Sequence, residues 1–155
     1  MKQFVLIFLL CSLTNMYSQK EELENNIKNT IHTFFEGMHS GDTVLIKKAI
    51  HKELKLQTTF VNKEGKSVLR TETKDVFLNA VSRKKDSTIW LEKLISFSIE
   101  IDGDLASVWT PYEFYLNNEF SHCGVNSFQL FNNNENWEII YIVDTRKRQG
   151  CKTVN

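Results

Sequence analysis

Side chains that could do chemistry are concentrated in two short segments, residues 109–113 (WTPYE) and 121–126 (SHCGVN). A histidine beside a carboxylate or a phenol can act as a general base, because the neighbour orients the imidazole and stabilises its charge. A structural histidine on a sheet face or at a strand edge is the competing interpretation. The candidate ligand-binding residues are Trp109, Tyr112, Glu113, His122 and Asn126.

The turn between these segments sets which candidates meet. If Asn117-Asn118 is a two-residue hairpin turn, counting back along both strands places Glu113 opposite His122 and Trp109 opposite Asn126. Side chains that face each other across an antiparallel pair lie about 5 Å apart. Glu113 could then orient and charge the His122 imidazole.

The alternation of apolar residues predicts a different arrangement. Tyr112 and Phe114 alternate with polar neighbours, so we expect them to face inward and Glu113 to face outward. A one-residue β-bulge would reconcile the two patterns, and it would place Tyr112 and Phe114 beside His122 inside the fold. The sequence leaves both arrangements open.

The N-terminal segment predicts the compartment. Met1-Lys2 is a short positive region, residues 4–10 (FVLIFLL) are an unbroken apolar run, and residues 14–19 turn polar. This order is typical of a cleaved secretory signal, and the apolar run is about half of the roughly 20 residues that a membrane-spanning helix needs. We therefore expect residues 1–19 to be a signal peptide and residues 20–155 to form a periplasmic or secreted domain with no membrane segment.

Two cysteines, Cys123 and Cys151, remain after the signal is removed. In an exported protein they can form a disulfide, which would close a loop of about 29 residues and stabilise the fold by roughly 3.5 kcal/mol in the chain-entropy model. The alternative is a buried Cys123 and a free thiol in the tail. Neither cysteine has the spacing of a metal site, so we expect no metal.

The charge of the mature domain argues against a nucleic-acid partner. The whole chain has 19 basic and 19 acidic residues, and the signal holds one of these charges, Lys2, so the mature domain carries a net charge of about −1. Proteins that bind nucleic acid carry a basic face. The chain also lacks a glycine-rich phosphate loop, so we expect no cofactor.

The patterning along the chain predicts helices first and strands last. An apolar stripe predicts a helix at residues 21–39, Asp42 caps a second, shorter helix, and a third covers residues 74–84. Strands are expected at residues 54–60, 67–70, 89–101, 105–116, 120–131 and 137–146. This order predicts one α+β domain, in which three helices lie over the concave face of a curved antiparallel sheet and form a cone with a cavity.

The last predicted strand has two apolar faces. Ile140 and Ile142 share one face, and Ile139 and Val143 share the other. A strand buried on both faces needs a second cover. We therefore expect a homodimer through the convex face of the sheet, with cover by the C-terminal tail as the alternative.

Several short motifs resemble a known superfamily. They are Ser-Gly-Asp at residues 40–42, Asp102-Gly103 before Leu-Ala-Ser-Val, and Asn-Trp-Glu-Ile-Ile at residues 136–140. Over residues 21–146 the chain is similar to the nuclear transport factor 2-like superfamily, and more narrowly to its SnoaL-like and "putative lumazine-binding" exported bacterial members. The resemblance implies a cone-shaped fold with a pocket, often dimeric through the outer sheet face. It does not imply a single function.

Three functions remain open from the sequence. The first is an exported domain that binds a small hydrophobic or cyclic ligand without demonstrated catalysis. The second is a SnoaL-type acid–base enzyme of the isomerase, dehydratase or cyclase class, using His122 with Tyr112 or Glu113. Isomerases of the resembled superfamily use a pocket carboxylate, and residues 54–60 supply none. The third is a dimeric interaction module with no ligand.

Overall fold

The computed structural model describes the backbone of residues 2–151 and the side chains of residues 18–151. The elements are α1 (Lys2–Ser40), α2 (Thr43–Ala49), β1 (Ile50–Val61), β2 (Ser67–Thr73), α3 (Lys74–Ser82), β3 (Trp90–Leu94), β4 (Ser98–Asp102), β5 (Leu105–Leu116), β6 (Glu119–Asn132) and β7 (Trp137–Arg146). The predicted signal peptide lies almost wholly outside the described side chains, so it stays a prediction. None of the helices in the described part of the chain has the length and apolar character to span a membrane.

The second and third helices form where capping and apolar spacing predict them, and α1 covers the predicted residues 21–39 but begins earlier, at Lys2. Residues spaced along one side of α1 are buried against the sheet. Asp42 caps α2, because its carboxylate accepts hydrogen bonds from the backbone N–H of Val44 at 2.8 Å and of Leu45 at 3.0 Å. A Cβ at Gly37 would lie 2.6 Å from Ile46 Cγ1, so the glycine lets α2 pack directly on α1.

The sheet is mixed, which corrects the expectation of an antiparallel one. Its strand order is β2-β1-β7-β6-β5-β3, and β4 also pairs with β5. All neighbours are antiparallel except β1 and β7, which run parallel. Alternation along a strand shows which face is buried and carries no information about the direction of the neighbouring strand. The α+β class and the three helices over one sheet face are confirmed.

The strand predicted at residues 89–101 is two strands, β3 and β4, which both pair with β5. In the ladder Leu94 lies opposite Tyr112 and Ser98 lies opposite Trp109, so three residues on one side face two on the other. Pro111 lies at this point of β5 and has no N–H to donate. Its carbonyl oxygen still accepts a hydrogen bond from Ile95 N at 2.9 Å.

Two bulges decide which side chains face inward. Asn117 and Asn118 both have positive φ, 53° and 67°, and form the predicted two-residue turn. The register then shifts between Phe114 and Tyr115, so that Phe114, and not Glu113, lies opposite His122. The bulged alternative is therefore the correct one.

The second bulge corrects the face assignment of the last strand. The register of β6 and β7 shifts between Gln129 and Leu130, which leaves Ile140 unpaired in the ladder. Ile139 and Ile142 are consequently both buried, and they do not lie on opposite faces as the alternation predicted. The core fills the space between the helices and the concave face, the sheet face on which the helices pack.

The C-terminal tail is fastened to β6. Cys123 and Cys151 form a disulfide with a Cα–Cα distance of 5.9 Å. Cys123 also exchanges two backbone hydrogen bonds of 3.0 Å with Lys147. The tail is therefore held beside the end of the sheet at which β7 finishes.

Candidate functional site

Four buried polar residues form one row across the concave face. Thr58 on β1 lies opposite Asp144 on β7, Asp144 lies opposite Asn126 on β6, and Asn126 lies opposite Thr110 on β5. All four are buried, although buried polar groups in a sheet interior are costly unless they are hydrogen-bonded. The row is therefore a candidate functional site.

An apolar row lies beside the polar row, on the side of the core. Leu56, Ile142, Phe128 and Val108 are paired in the same way across the same four strands. The concave face thus changes from apolar to polar between residues that are two positions apart on each strand. A space between the rows and the helices therefore has one apolar side and one side with hydrogen-bonding groups, as small-molecule sites commonly do.

Asp144 is the most heavily hydrogen-bonded group of the row. Its Oδ1 accepts a hydrogen bond from Thr58 Oγ1 at 2.6 Å, and its Oδ2 accepts from Tyr112 OH at 3.1 Å and from Arg146 Nε at 2.8 Å. Tyr112 OH also lies 3.0 Å from the carbonyl oxygen of Thr145. Three donors hold this carboxylate in one orientation, so Asp144 positions the Arg146 guanidinium at the edge of the row.

Glu92 reaches the same row from β3 and has a different environment. Its Oε1 accepts one hydrogen bond, from Asn126 Nδ2 at 2.7 Å. Burial raises the pKa of Glu92 to about 8, against the lowering effect of the Asn126 hydrogen bond, and the nearby Asp144 charge raises it further. Glu92 is thus mainly protonated at neutral pH and can donate a hydrogen bond.

A cavity of about 90 Å³ lies between these polar groups and the helices. Its apolar side is formed by side chains of α1 and α3, together with Leu56 of β1 and Ile142 of β7. Its lining residues are Phe34, Phe35, Met38, Leu56, Gln57, Thr58, Glu72, Phe77, Glu92, Asn126, Ile142, Asp144 and Arg146. Phe34 and Phe77 are stacked, with ring centroids 5.6 Å apart and an interplanar angle of 16°.

Three of the five predicted candidates lie on the concave face. Asn126 lines the cavity. Tyr112 lies behind it and supports Asp144, and burial raises the pKa of the Tyr112 phenol, so it stays protonated as a donor. His122 packs further along the strands, with its ring centroid 4.9 Å from that of Phe114 and 5.8 Å from that of Tyr112.

The His122 imidazole is neutral at pH 7. Burial lowers its pKa to about 4, and the positive charge of Arg146 lowers it further. Its Nδ1 lies 3.1 Å from Ser121 Oγ. The carboxylate expected to charge the ring, Glu113, lies opposite Cys123 instead, and this follows from the bulge.

Glu113 and Trp109 are not among the residues that line this cavity. Glu113 accepts a hydrogen bond from Tyr115 OH at 2.8 Å. Trp109 lies opposite Ser127 and is 55% exposed. It lies on the convex face of β5, as Leu105 and Ser107 do, because side chains alternate along the strand. The bulge moved both residues away from the partners predicted for them.

The candidates predicted from the sequence do not include Glu92, Asp144, Arg146 and Thr58. Asp144 carried a usable signal, because aspartate is depleted in strands and here it follows an apolar run, Ile139–Val143. Glu92 carried a weaker sequence signal, because it is a charged residue within an apolar segment. Among the described residues, no group of three or more His, Cys, Asp or Glu is arranged to hold a metal ion.

The architecture is that of the NTF2-like proteins. A solved NTF2-like protein from Cytophaga hutchinsonii has a TM-score of 0.62 and 16% identity, over 80% of this chain and 98% of that chain. A protein from Nostoc punctiforme, described as having a cystatin-like fold, has a TM-score of 0.62 and 11% identity, over 81% and 92%. The beta subunit of a "putative aromatic-ring-hydroxylating dioxygenase" from Novosphingobium aromaticivorans has a TM-score of 0.67 and 10% identity, over 87% and 95%. At these identities the likeness shows the fold.

The family follows from the sequence model that matches residues 22–143. The chain belongs to the family described as "Putative lumazine-binding". No curated protein matches it.

Proposed function

We propose that this protein is an exported domain that binds a small, flat, polar-edged ring compound in the cavity, with no catalysis required. The observation that carries the proposal is the Glu92–Asn126 pair, which is aimed into a cavity whose other side is aromatic. A few polar groups converging in an apolar pocket are the usual form of a small-molecule site.

The pair suits a ligand with an amide-like edge. A protonated Glu92 donates a hydrogen bond, and the Asn126 carbonyl oxygen accepts one, so both halves of a ring N–H/C=O edge find a partner. The Phe34 and Phe77 rings supply an apolar surface for the flat face of the ring. Lumazine, the compound in the family's description, has such edges and is the first compound to test.

Titration calorimetry with lumazine tests the proposal on two matched variants. Glu92→Gln should weaken binding about tenfold or more, because about 1.4 kcal/mol corresponds to each factor of ten. Glu113→Gln, outside the cavity, should bind like the wild type. Equal affinities in all three proteins would place the ligand elsewhere. Native mass spectrometry of protein purified from its host would identify any retained compound.

A second candidate, acid–base catalysis, is favoured by the contrast between two of the cavity carboxyl groups, Asp144 and Glu92. Asp144 has three hydrogen-bond donors and Glu92 has one, and enzymes use such differences to separate an acid from a base. In an enzyme of this kind Glu92 would transfer the proton. Glu92→Gln should then abolish turnover of a bound substrate while keeping its binding, and His122→Ala should change neither.

Export and dimerisation belong to the same proposal. The Cys123–Cys151 disulfide is compatible with an extracytoplasmic location. On the convex face Leu105, Trp109 and Phe131 are exposed to 50%, 55% and 39%, which supports a dimer through that face. Sedimentation of wild-type protein and of Trp109→Asp tests the dimer. A dimer that binds no compound would favour the ligand-free interaction module.

A further inference from the structure

The cavity is small for a ring compound. Its volume of about 90 Å³ compares with roughly 300 Å³ at the lower end for ordinary ligand sites. A ring compound held by the polar row therefore extends in part beyond the cavity, into adjoining space. That space has to adjoin the polar row, because the hydrogen-bonding groups are fixed there.

A groove adjoins the cavity on its α1–β3 side. It has a volume of about 650 Å³ and lies on the surface between these two elements. Its α1 side is largely polar, and its β3 side is apolar apart from Glu92. Its lining residues are His32, Phe35, Glu36, His39, Ser40, Ile89, Trp90, Glu92 and Leu94.

Phe35 and Glu92 line both the groove and the cavity, so they form the partition between them. His39 joins the two sides of this partition, because its Nε2 accepts a hydrogen bond from the backbone N–H of Glu92 at 2.8 Å. The Phe35 ring lies 6.1 Å from the His39 ring and 6.1 Å from Phe128. Within the described residues this is the one side-chain hydrogen bond from α1 to β3.

The β3 side of the partition lies at an edge of the sheet. β3 is the last strand in the sheet order, so no strand of the described residues neighbours its other edge. Ile89 and Ile95, immediately before and after it, are 46% and 36% exposed. A rotation of Phe35 or a small displacement of β3 would therefore join the cavity to the groove without breaking a central strand pair.

We propose, in an inference that rests on the proposed function, that the complete site is the cavity together with the groove. The ligand of this site is elongated. Its polar ring contacts Glu92 and Asn126, and an apolar arm passes between Phe35 and Glu92 and packs on Trp90 and Leu94. The arm is apolar because the β3 side of the groove beyond Glu92 is formed by Ile89, Trp90 and Leu94.

The test uses two probes, lumazine and lumazine that carries an octyl chain, with protein labelled by 5-fluorotryptophan. The three tryptophans, Trp90, Trp109 and Trp137, give three fluorine resonances, and Trp90→Phe assigns one of them. We expect the octyl probe to bind about tenfold or more tightly than lumazine, because each buried methylene contributes about 0.8 kcal/mol. We also expect it to shift the Trp90 resonance and to leave the Trp109 resonance unchanged.

Matched variants test the partition. Phe34 and Phe35 both line the cavity, and only Phe35 lines the groove as well. Phe35→Ala should therefore speed association of the octyl probe more than Phe34→Ala does. Leu94→Lys should remove the affinity advantage of the octyl probe over lumazine.

The outcomes separate this inference from the proposed function. If both probes bind equally, depend on Glu92 and leave the Trp90 resonance unmoved, the cavity site stands and the groove is wrong. A shift of Trp109 in place of Trp90 would place the chain on the convex face and overturn the inference. If neither probe binds, the proposed ligand class fails, and the inference fails with it.

Discussion

Glu92 Oε1 accepts a hydrogen bond of 2.7 Å from Asn126 Nδ2, although the two residues lie on strands that are separated by β5. The contact therefore spans the concave face above a third strand. It gives Glu92 a single neutral donor at a half-buried position, and desolvation raises the pKa of this carboxyl to about 8. Asp144, in the same cavity, has three donors.

Glu92 should make the protein less stable as pH rises. The folded-state pKa of about 8 lies above the ordinary value of 4.5, so between these pH values the folded protein holds a proton that the unfolded chain has released. The free energy of unfolding then falls with rising pH by up to about 1.4 kcal/mol per pH unit. Glu92→Gln removes this contribution. In urea unfolding from about pH 5 to about pH 8, the free energy of unfolding of the variant should rise relative to that of the wild type. If the free energies of both proteins change equally with pH, the Glu92 carboxyl is not neutral in the folded protein.

His122 should produce the opposite dependence at lower pH. Its folded-state pKa of about 4 lies below the ordinary value of 6.5, so the unfolded chain takes up a proton first as the pH falls. Stability is then lost between these two values. His122→Gln should match the wild-type melting temperature at neutral pH and exceed it near pH 4. If the two proteins lose stability equally in acid, the imidazole is not desolvated.

Tyr112 should stabilise the fold through its hydroxyl group. Tyr112→Phe removes the donor from Asp144 Oδ2 and from the Thr145 carbonyl, which lie 3.1 and 3.0 Å away. Asp144 keeps its bonds from Thr58 and Arg146, so the expected loss is that of one hydrogen bond to a charged group, about 1.5–3 kcal/mol. Tyr115→Phe is the matched control, because that hydroxyl bonds Glu113 at a half-buried position outside the core, and its loss should have a smaller effect. Chemical denaturation compares the two, and similar losses would show that the Asp144 contact is weak.

Gly124 should not tolerate alanine. A Cβ at this position would overlap the Thr145 carbonyl oxygen and would lie 2.9 Å from Tyr112 Cε1. We expect Gly124→Ala to cost about 4 kcal/mol or more, or to prevent folding, as severe overpacking does. Gly65→Ala in the β1–β2 turn is the control. Gly65 has a φ of +78° with no atom within 4 Å of the added Cβ, so only backbone strain of about 1–2 kcal/mol is expected. Equal losses in thermal melts would contradict the close packing at Gly124.

Local chemistry made much of the fold predictable. The apolar stripe of α1, the Asp42 cap and the Asn117-Asn118 turn each depend on residues that are close in the chain. The site was less predictable, since Asn126 was expected in the pocket and Glu92 was not. The parallel pairing of β1 with β7 and the bulge near Ile140 depend on partners far away in sequence.

The sequence by itself determined the helices, the main turn and the α+β class, because periodicity, capping and turn propensity act over a few residues. Only the tertiary structure decided which polar residues share the row Thr58–Asp144–Asn126–Thr110, because a one-residue bulge reverses every later side chain in a strand. It also decided the state of Glu92. A carboxyl group is neutral at pH 7 only when the surrounding strands and helices remove it from water.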